Sequence, residues 1–274
     1  MLEIPETKTI SRQVNETLKD KVIEKVLLSN SPHKFTFYNG DPAEYVKLLQ
    51  GKKILSAHGH GMFVDVHCEN DTCITISDGT NMRFYLAGEN TPEKYQLLIS
   101  FNDKSFIAFT VAMYGSIYAF KGTLDNSYHR GSLNSLSPLE NDFNEAYFDS
   151  IFKSVSKDIS LKALLATEQR IPGLGNGCLQ DILLQAGLHP KQKKNTISDL
   201  KKSDLFHSLK TTLAKMTEMG GRDTEKDFFG RAGAYKTLLS KNTLANPCPF
   251  CGNTIHKEQY LGGAIYFCPV CQAL

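Results

Sequence analysis

Four of the seven cysteines lie at the C-terminal end of this 274-residue chain, as two C-x-x-C pairs. Each pair presents two thiolates from one turn, and two such turns supply the four sulfur ligands of a tetrahedral Zn²⁺ site. Two disulfides are the alternative, but the odd cysteine count and the lack of a secretory-signal pattern favour thiolates. We therefore expect one structural zinc ion, without an open coordination position, held around a β-hairpin by Cys248, Cys251, Cys268 and Cys271.

The rest of the composition is that of a globular protein, with 41% hydrophobic and 22% charged residues. No apolar run approaches the ~20 residues of a membrane span, so we expect no membrane partner and a cytoplasmic protein. The net charge of +2 hides a strongly acidic N-terminal half and a basic segment from residue 151 to residue 246. A basic segment can attract phosphates, although a solvated helical face has the same composition.

The order of sequence patterns predicts an α+β protein in three parts. Ile10, Val14 and Leu18 share one face of a helix, and short β-branched and aromatic runs broken by Asn, Asp and Gly follow it. These features predict an N-terminal helix and an antiparallel β-sandwich or barrel within residues 1–136. Helical periodicity then predicts a helical domain over residues 137–246, and the cysteine hairpin occupies residues 247–274.

A glycine-rich loop interrupts the helical part at "RIPGLGNGCLQDILLQAG". Gly175, Asn176 and Gly177 are expected to form a tight turn, followed by a helix from Cys178 that ends at Gly187. Amide groups without side-chain cover at the start of a helix can bind a phosphate oxygen. The alternative is a helix hairpin whose glycines only allow close packing.

These features together resemble the formamidopyrimidine-DNA glycosylase/endonuclease VIII (Fpg/Nei) family. The similarity lies in the glycine loop, the four cysteines and the opening "LEIPE", where the family has "PELPE". The resemblance implies an N-terminal helix with a β-sandwich, a helix–two-turns–helix domain and a C-terminal zinc finger. It also implies double-stranded DNA with a damaged base or an abasic site as the partner, and a monomer associated with the nucleoid.

The family's chemistry implies a role for the first residues of the chain. In the family, an N-terminal proline amine attacks C1′ of a nucleoside whose base has been flipped out of the duplex, and the adjacent glutamate moves protons. Carried over by position, Glu3 is the catalytic glutamate and Glu6 is a further family residue. Leu2 stands in place of the proline, so the amine would belong to Met1 if Met1 is retained, or to Leu2 if it is removed.

The resemblance also implies DNA contacts. Lys162 matches a lysine that contacts a phosphate, and Gly175 and Asn176 match the turn that grips a phosphate. Tyr114 matches the position of an aromatic wedge, although a half-buried strand aromatic is an equal interpretation. Gly263 stands where the finger has a phosphate-binding arginine.

A further departure concerns the β domain, where His60 takes the position of the family's lysine, and we expect His60 to contact a phosphate or to take part in catalysis. With the proline, the lysine and the arginine all replaced, two functions remain open. The first is a DNA glycosylase of altered specificity, with or without lyase activity through an N-terminal amine. The second is a catalytically inactive relative that binds lesions or unusual DNA structures.

Overall fold

The computed structural model describes residues 2–274 and shows an α+β protein with seven α-helices among them. The first helix contains the predicted apolar face, and all three of its predicted residues are buried in the β-sandwich core. The helices are α1 Ile4–Leu18, α2 Glu44–Leu49, α3 Ser127–Asn134, α4 Glu145–Lys153, α5 Leu161–Ala166, α6 Asn176–Ala186 and α7 Asp199–Glu218.

Eleven strands form three sheets in the described part of the chain. Nine belong to the sandwich and two form the C-terminal hairpin. The strands are β1 Ile23–Leu28, β2 Thr36–Tyr38, β3 Ile54–His60, β4 Phe63–Cys68, β5 Thr72–Ile76, β6 Thr80–Tyr85, β7 Leu97–Phe101, β8 Phe106–Val111, β9 Gly115–Lys121, β10 His256–Tyr260 and β11 Gly263–Phe267.

The predicted sandwich consists of a four-stranded sheet, β1-β7-β8-β6, and a five-stranded sheet, β2-β9-β5-β4-β3. All neighbouring strands are antiparallel except β2 and β9, which run parallel. Successive side chains of β4 point to opposite faces of the sheet: Val64 and Val66 face the core, whereas Asp65 points to the outer face. Helix α3 lies on that outer face of the five-stranded sheet and buries His129 there.

The helical part has a separate core formed by α4 to α7. Helix α6 begins at Asn176, two residues earlier than expected, and ends as predicted at Gly187, which has φ +65°. Only glycine adopts this left-handed conformation without steric cost, so it ends the helix cleanly. Ile4, from the start of α1, is buried in this helical core and joins the two parts.

The C-terminal hairpin β10–β11 has a third small core, which includes Ile255 and Tyr266. The segment between α7 and the hairpin returns to the sandwich, where Phe228 is fully buried in the sandwich core. Within residues 2–274, no helix combines the length and apolar character needed to cross a membrane.

Candidate active site

The start of the chain is built into the interior of the protein. Leu2 and Glu3 are buried, and the Leu2 N–H donates to Asp78 Oδ1 at 2.9 Å. The Ile4 N–H donates to the Gly173 carbonyl at 3.1 Å, so the first turn of α1 is attached to the glycine loop. Met1 lies outside the described residues, and the role expected for it remains a prediction.

The Glu3 carboxylate is the centre of this region. Its Oε1 accepts from Gly177 N (2.9 Å) and Arg222 Nη1 (3.0 Å), and its Oε2 accepts from Gly175 N (3.0 Å) and Cys178 N (2.9 Å). A carboxylate has about four lone-pair sites. All four are therefore occupied, and Glu3 must release one donor before it can accept a proton from a reacting group.

These contacts give the glycine loop a different binding partner from the one that we expected. The amides of Gly175 and Gly177, which we expected to bind a phosphate oxygen, bind Glu3 instead. A Cβ atom on Gly175 would lie 2.6 Å from Glu3 Cδ, and one on Gly177 would lie 1.6 Å from Arg222 Nη1 and 2.7 Å from Glu3 Oε1. Glycine is therefore required at both positions for the carboxylate to reach the start of α6. The expected phosphate contact through these two amides is not available in this structure.

Arg222 is the residue that sequence reasoning missed. Its guanidinium donates to Glu3 through Nη1 and to Glu6 through Nε (3.0 Å) and Nη2 (2.8 Å). Its backbone N–H also donates to Glu6 Oε1 at 3.1 Å. All three side chains are almost completely buried. A single arginine thus fixes both carboxylates of the opening segment, and Glu6 acts by positioning Glu3 and Arg222.

The protonation state of Glu3 follows from these contacts. Burial alone would raise the pKa of the Glu3 carboxyl, because the charged form loses its hydration. The Arg222 charge and the bonds from Cys178 and Gly177 outweigh burial and hold the pKa below its usual value. Glu3 is therefore a carboxylate at neutral pH, suited to stabilising a positive charge, and it can accept a proton only after one of its four donors is released.

A cavity of about 210 Å³ opens beside Leu2. Its wall includes Asp78 and Gly79 from the β5–β6 loop, Met113 and Tyr114 from the β8–β9 loop, and Glu225 and Lys226 from the segment after α7. Met113 and Tyr114 are 72% and 48% exposed, respectively, so the β8–β9 loop projects a thioether and a phenol next to the buried N-terminal segment. Burial raises the pKa of Asp78 and outweighs the bond from Leu2 N, which acts in the opposite direction.

The remaining expected DNA contacts meet at the hairpin. Lys162 Nζ donates to the Tyr260 carbonyl at 2.6 Å, and Asn176 Nδ2 donates to the Ala264 carbonyl at 2.8 Å. A Cβ on Gly263 would lie 3.6 Å from Lys162 Nζ, so these three residues are neighbours, as the resemblance implies. Asn176 Oδ1 is buried without a hydrogen-bond partner. The structure therefore brings this group together, with Lys162 bound to a carbonyl rather than free.

Comparison with known proteins agrees with this architecture. Residues 1–118 match the model of the formamidopyrimidine-DNA glycosylase N-terminal domain. Formamidopyrimidine-DNA glycosylases from Lactobacillus acidophilus and Histophilus somni are 26% and 27% identical to the chain, and in each case the alignment covers at least 99% of both proteins. The chain is therefore similar along its whole length to formamidopyrimidine-DNA glycosylases.

Solved structures of the family show the same fold. The MutM (Fpg) protein of Thermus thermophilus has a TM-score of 0.81 at 22% identity and covers 98% of both chains. Lactococcus lactis Fpg in complex with DNA containing an abasic site has a TM-score of 0.86 at 20% identity, and the match covers 99% of this chain and 100% of that one.

Relative to the Fpg/Nei pattern, His60 needs a correction. It is only 6% exposed, and its ring nitrogens lie 3.0 Å from Ser132 Oγ and 3.0 Å from Asp65 Oδ2. Both nitrogens are therefore engaged beneath α3, on the outer face of the sheet. The structure gives no support to the expected catalytic or phosphate contact at His60, because contact with DNA would require breaking this buried network.

The four cysteines of the hairpin could hold a metal ion, as expected. All four Sγ atoms lie within 4.8 Å of one another, with Cys248–Cys271 at 3.8 Å and Cys251–Cys268 at 3.4 Å. A tetrahedron with Zn–S bonds of about 2.3 Å has S···S edges of about 3.8 Å, so the arrangement fits the ion. The bonds to Cys251 from Asn253 lower the pKa of Cys251 to about 6, which favours the thiolate.

Proposed function

We propose that this protein binds double-stranded DNA containing a damaged base or an abasic site and excises a modified base. The observation that supports this proposal best is the construction of the opening segment. Leu2 lines a cavity, and the next residue, Glu3, is held as a carboxylate by α6 and Arg222. Members of the family crystallised with DNA include Lactococcus lactis Fpg bound to an abasic site and to FAPY-dG.

The chemistry of position 2 restricts the mechanism. If Met1 is retained, Leu2 N belongs to a peptide bond, and its lone pair is delocalised into the carbonyl. Leu2 N would then be unable to attack a sugar carbon, and the amine of Met1 would be the nucleophile for a lyase reaction. Without an amine in reach, Glu3 would activate water for base excision alone. In both cases Asp78, which accepts from Leu2 N, orients the segment.

A non-catalytic relative that binds lesions is the second candidate. Its support is the saturation of Glu3 by four donors, together with the absence of the proline, the β-domain lysine and the phosphate-binding arginine that the resemblance implies. A carboxylate that only caps a helix and pairs with an arginine would have this same set of contacts.

Borohydride trapping and base-excision assays separate the two candidates. The protein is incubated with duplexes that carry an abasic site or an oxidised base, then reduced, and the covalent adduct and released base are measured. The enzyme hypothesis predicts activity that Glu3→Gln abolishes, while Glu6→Gln retains part of it. Glu6→Gln is the matched control, because Glu6 is equally buried and also bound to Arg222. Equal losses in both folded variants would contradict a catalytic role for Glu3.

DNA binding is tested independently at the hairpin. We propose that Lys162, Asn176 and the backbone near Gly263 grip a phosphate, with the Lys162–Tyr260 bond opening to admit it. Lys162→Ala should reduce the slope of log affinity against log salt by about 0.9, because one phosphate contact is lost. Asn176→Ala should weaken binding with little change in that slope. Unchanged binding by both variants would show that the grip lies elsewhere.

The finger is proposed to hold one structural Zn²⁺ through Cys248, Cys251, Cys268 and Cys271. The ion supplies no reaction step; it folds the hairpin whose carbonyls contact Lys162 and Asn176. Removal of zinc by a chelator should therefore weaken DNA binding and leave the sandwich folded. Association with the nucleoid would follow from binding to DNA.

A further inference from the structure

The outer face of the five-stranded sheet carries an unusual set of side chains. Four of the eight histidines of the chain lie here: His58 and His60 on β3, His67 on β4 and His129 on α3. They surround Asp65, whose strand neighbours Cys73 and Thr75 on β5 point to the same side. This concentration of imidazole groups has no part in the proposed DNA chemistry.

Asp65 is the centre of the set. His60 Nε2 lies 3.0 Å from Oδ2, His129 Nε2 lies 3.0 Å from both oxygens, and the Thr75 hydroxyl donates to Oδ1 at 2.6 Å. Asp65, His60 and His129 are 3%, 6% and 4% exposed, respectively. Two imidazole nitrogens and one carboxylate thus converge in the interior, close enough to be joined by a single ion.

We propose that His60, His129 and Asp65 form a second metal site, which binds Zn²⁺ through His60 Nε2, His129 Nε2 and the Asp65 carboxylate. Bonds of about 2.0–2.1 Å from zinc to nitrogen and oxygen give ligand–ligand distances of about 3.3 Å in a tetrahedron. The two nitrogen–oxygen separations of 3.0 Å are slightly shorter than this, and all three ligand atoms lie within 4.8 Å of one another, so a small adjustment would accept the ion.

The groups around the ligands suit metal binding. Ser132 Oγ lies 3.0 Å from His60 Nδ1 and can accept its proton, which leaves Nε2 free to coordinate. The Asp65 oxygens face two imidazole nitrogens and the Thr75 hydroxyl, which are partners that favour the carboxylate form needed in a ligand.

One ring nitrogen of His129 is left without a hydrogen-bond partner in this cluster. Its Nδ1 is buried and has no hydrogen-bond partner in the structure, whereas buried polar atoms normally have one. His129 also lines a cavity of about 500 Å³ between the sheet and α3. This cavity is large enough for water, which can accept from Nδ1 when Nε2 binds the ion.

The same cavity provides an entry path for the ion and room for a water ligand. His58, His67 and Cys73 line it together with Asp65, and His67 is exposed to solvent. Cys73 Sγ lies 3.6 Å from Thr75 Oγ1 and is not among the three ligand atoms that converge from His60, Asp65 and His129. With three protein ligands, the fourth coordination position belongs to water from the cavity.

The test is a metal count on the full-length protein. The protein is loaded with Zn²⁺, freed of excess metal by gel filtration and measured by inductively coupled plasma mass spectrometry. The parent should hold two zinc ions per chain. His129→Gln and Asp65→Asn should each hold one, and so should a Cys251→Ser/Cys268→Ser double variant. His67→Gln, a control on the same face, should still hold two.

Cobalt binding to the double cysteine variant gives a second readout that does not depend on the stability of the histidine variants. We expect one Co²⁺ per chain without a thiolate charge-transfer band, and a 10- to 100-fold weaker affinity after Ser132→Ala is added. One zinc in the parent, or no cobalt bound by the double cysteine variant, would overturn the proposal. Loss of the second ion in His67→Gln but not in His129→Gln would show an adventitious surface site and would overturn it equally.

Discussion

Two buried carboxylates, Glu3 and Asp65, are surrounded in different ways. Glu3 accepts from three backbone amides and one guanidinium, none of which gives up its proton in the physiological pH range. Asp65 interacts with two imidazoles and one hydroxyl. An imidazole can change its tautomer, become charged or bind a metal. The first environment therefore fixes one state of its carboxylate, whereas the second can exchange protons or ions.

The largest loss of stability should come from removing Arg222, the cation that pairs with both Glu3 and Glu6. Arg222→Ala leaves two buried carboxylates without their cation, which should lower the free energy of unfolding by about 3–5 kcal/mol. Urea denaturation measures this change. Arg231→Ala is the control, because Arg231 is exposed and its loss should change the stability by no more than about 0.5 kcal/mol. Similar values for both variants would show that Arg222 does not hold the opening segment.

The next comparison replaces each carboxylate by its amide. In Glu3→Gln, the new NH2 group would face backbone and guanidinium N–H donors, none of which can accept a hydrogen bond. The substitution should therefore lower the free energy of unfolding by about 2–4 kcal/mol. Asp65→Asn should cost about 1–2 kcal/mol, because one imidazole can accept from the Asn amide after a change of tautomer. Denaturation in metal-free buffer measures both. An equal loss of unfolding free energy in the two variants would contradict the proposed difference between the partners of Glu3 and those of Asp65.

The difference in unfolding free energy between the parent and Glu3→Gln should become smaller as the pH is lowered. The pKa of Glu3 is lowered in the folded protein, so its stabilisation is complete above the unfolded value of about 4.3 and is lost as the pH falls through the folded value. Unfolding free energies measured from pH 7 down to pH 3 should show the two proteins converging at the acid end. A constant gap would mean that the carboxylate charge does not contribute.

The smallest effect concerns the hydroxyl beside Asp65. Thr75→Val keeps the shape but removes the donor to Oδ1, which should cost about 1 kcal/mol. Because the two histidines still hold Asp65, the zinc content should stay unchanged. The same metal measurement and a thermal melt check this prediction. A loss of zinc would show that the hydroxyl belongs among the ligands.

Several features were predictable because they depend on short stretches of chain. Ile10, Val14 and Leu18 repeat at helical spacing, and the observed helix buries all three. Gly187 ends α6 through its own backbone conformation, and the two C-x-x-C turns bring four thiols together. No local pattern indicates that the opening segment lies beside the glycine loop, where Ile4 N–H donates to the Gly173 carbonyl.

The contacts of Glu3 and His60 were not predictable in this way. Glu3 and Arg222 are 219 positions apart, and no periodicity relates them. Likewise, His60 meets His129 only because α3 folds across the outer face of the sheet. The sequence by itself determined the first helix, the end of α6 and the clustering of the four C-terminal cysteines, since these depend on neighbouring residues. Only the tertiary structure decided which buried carboxylate meets which cation or imidazole, because desolvation makes each buried charge depend on partners from distant segments.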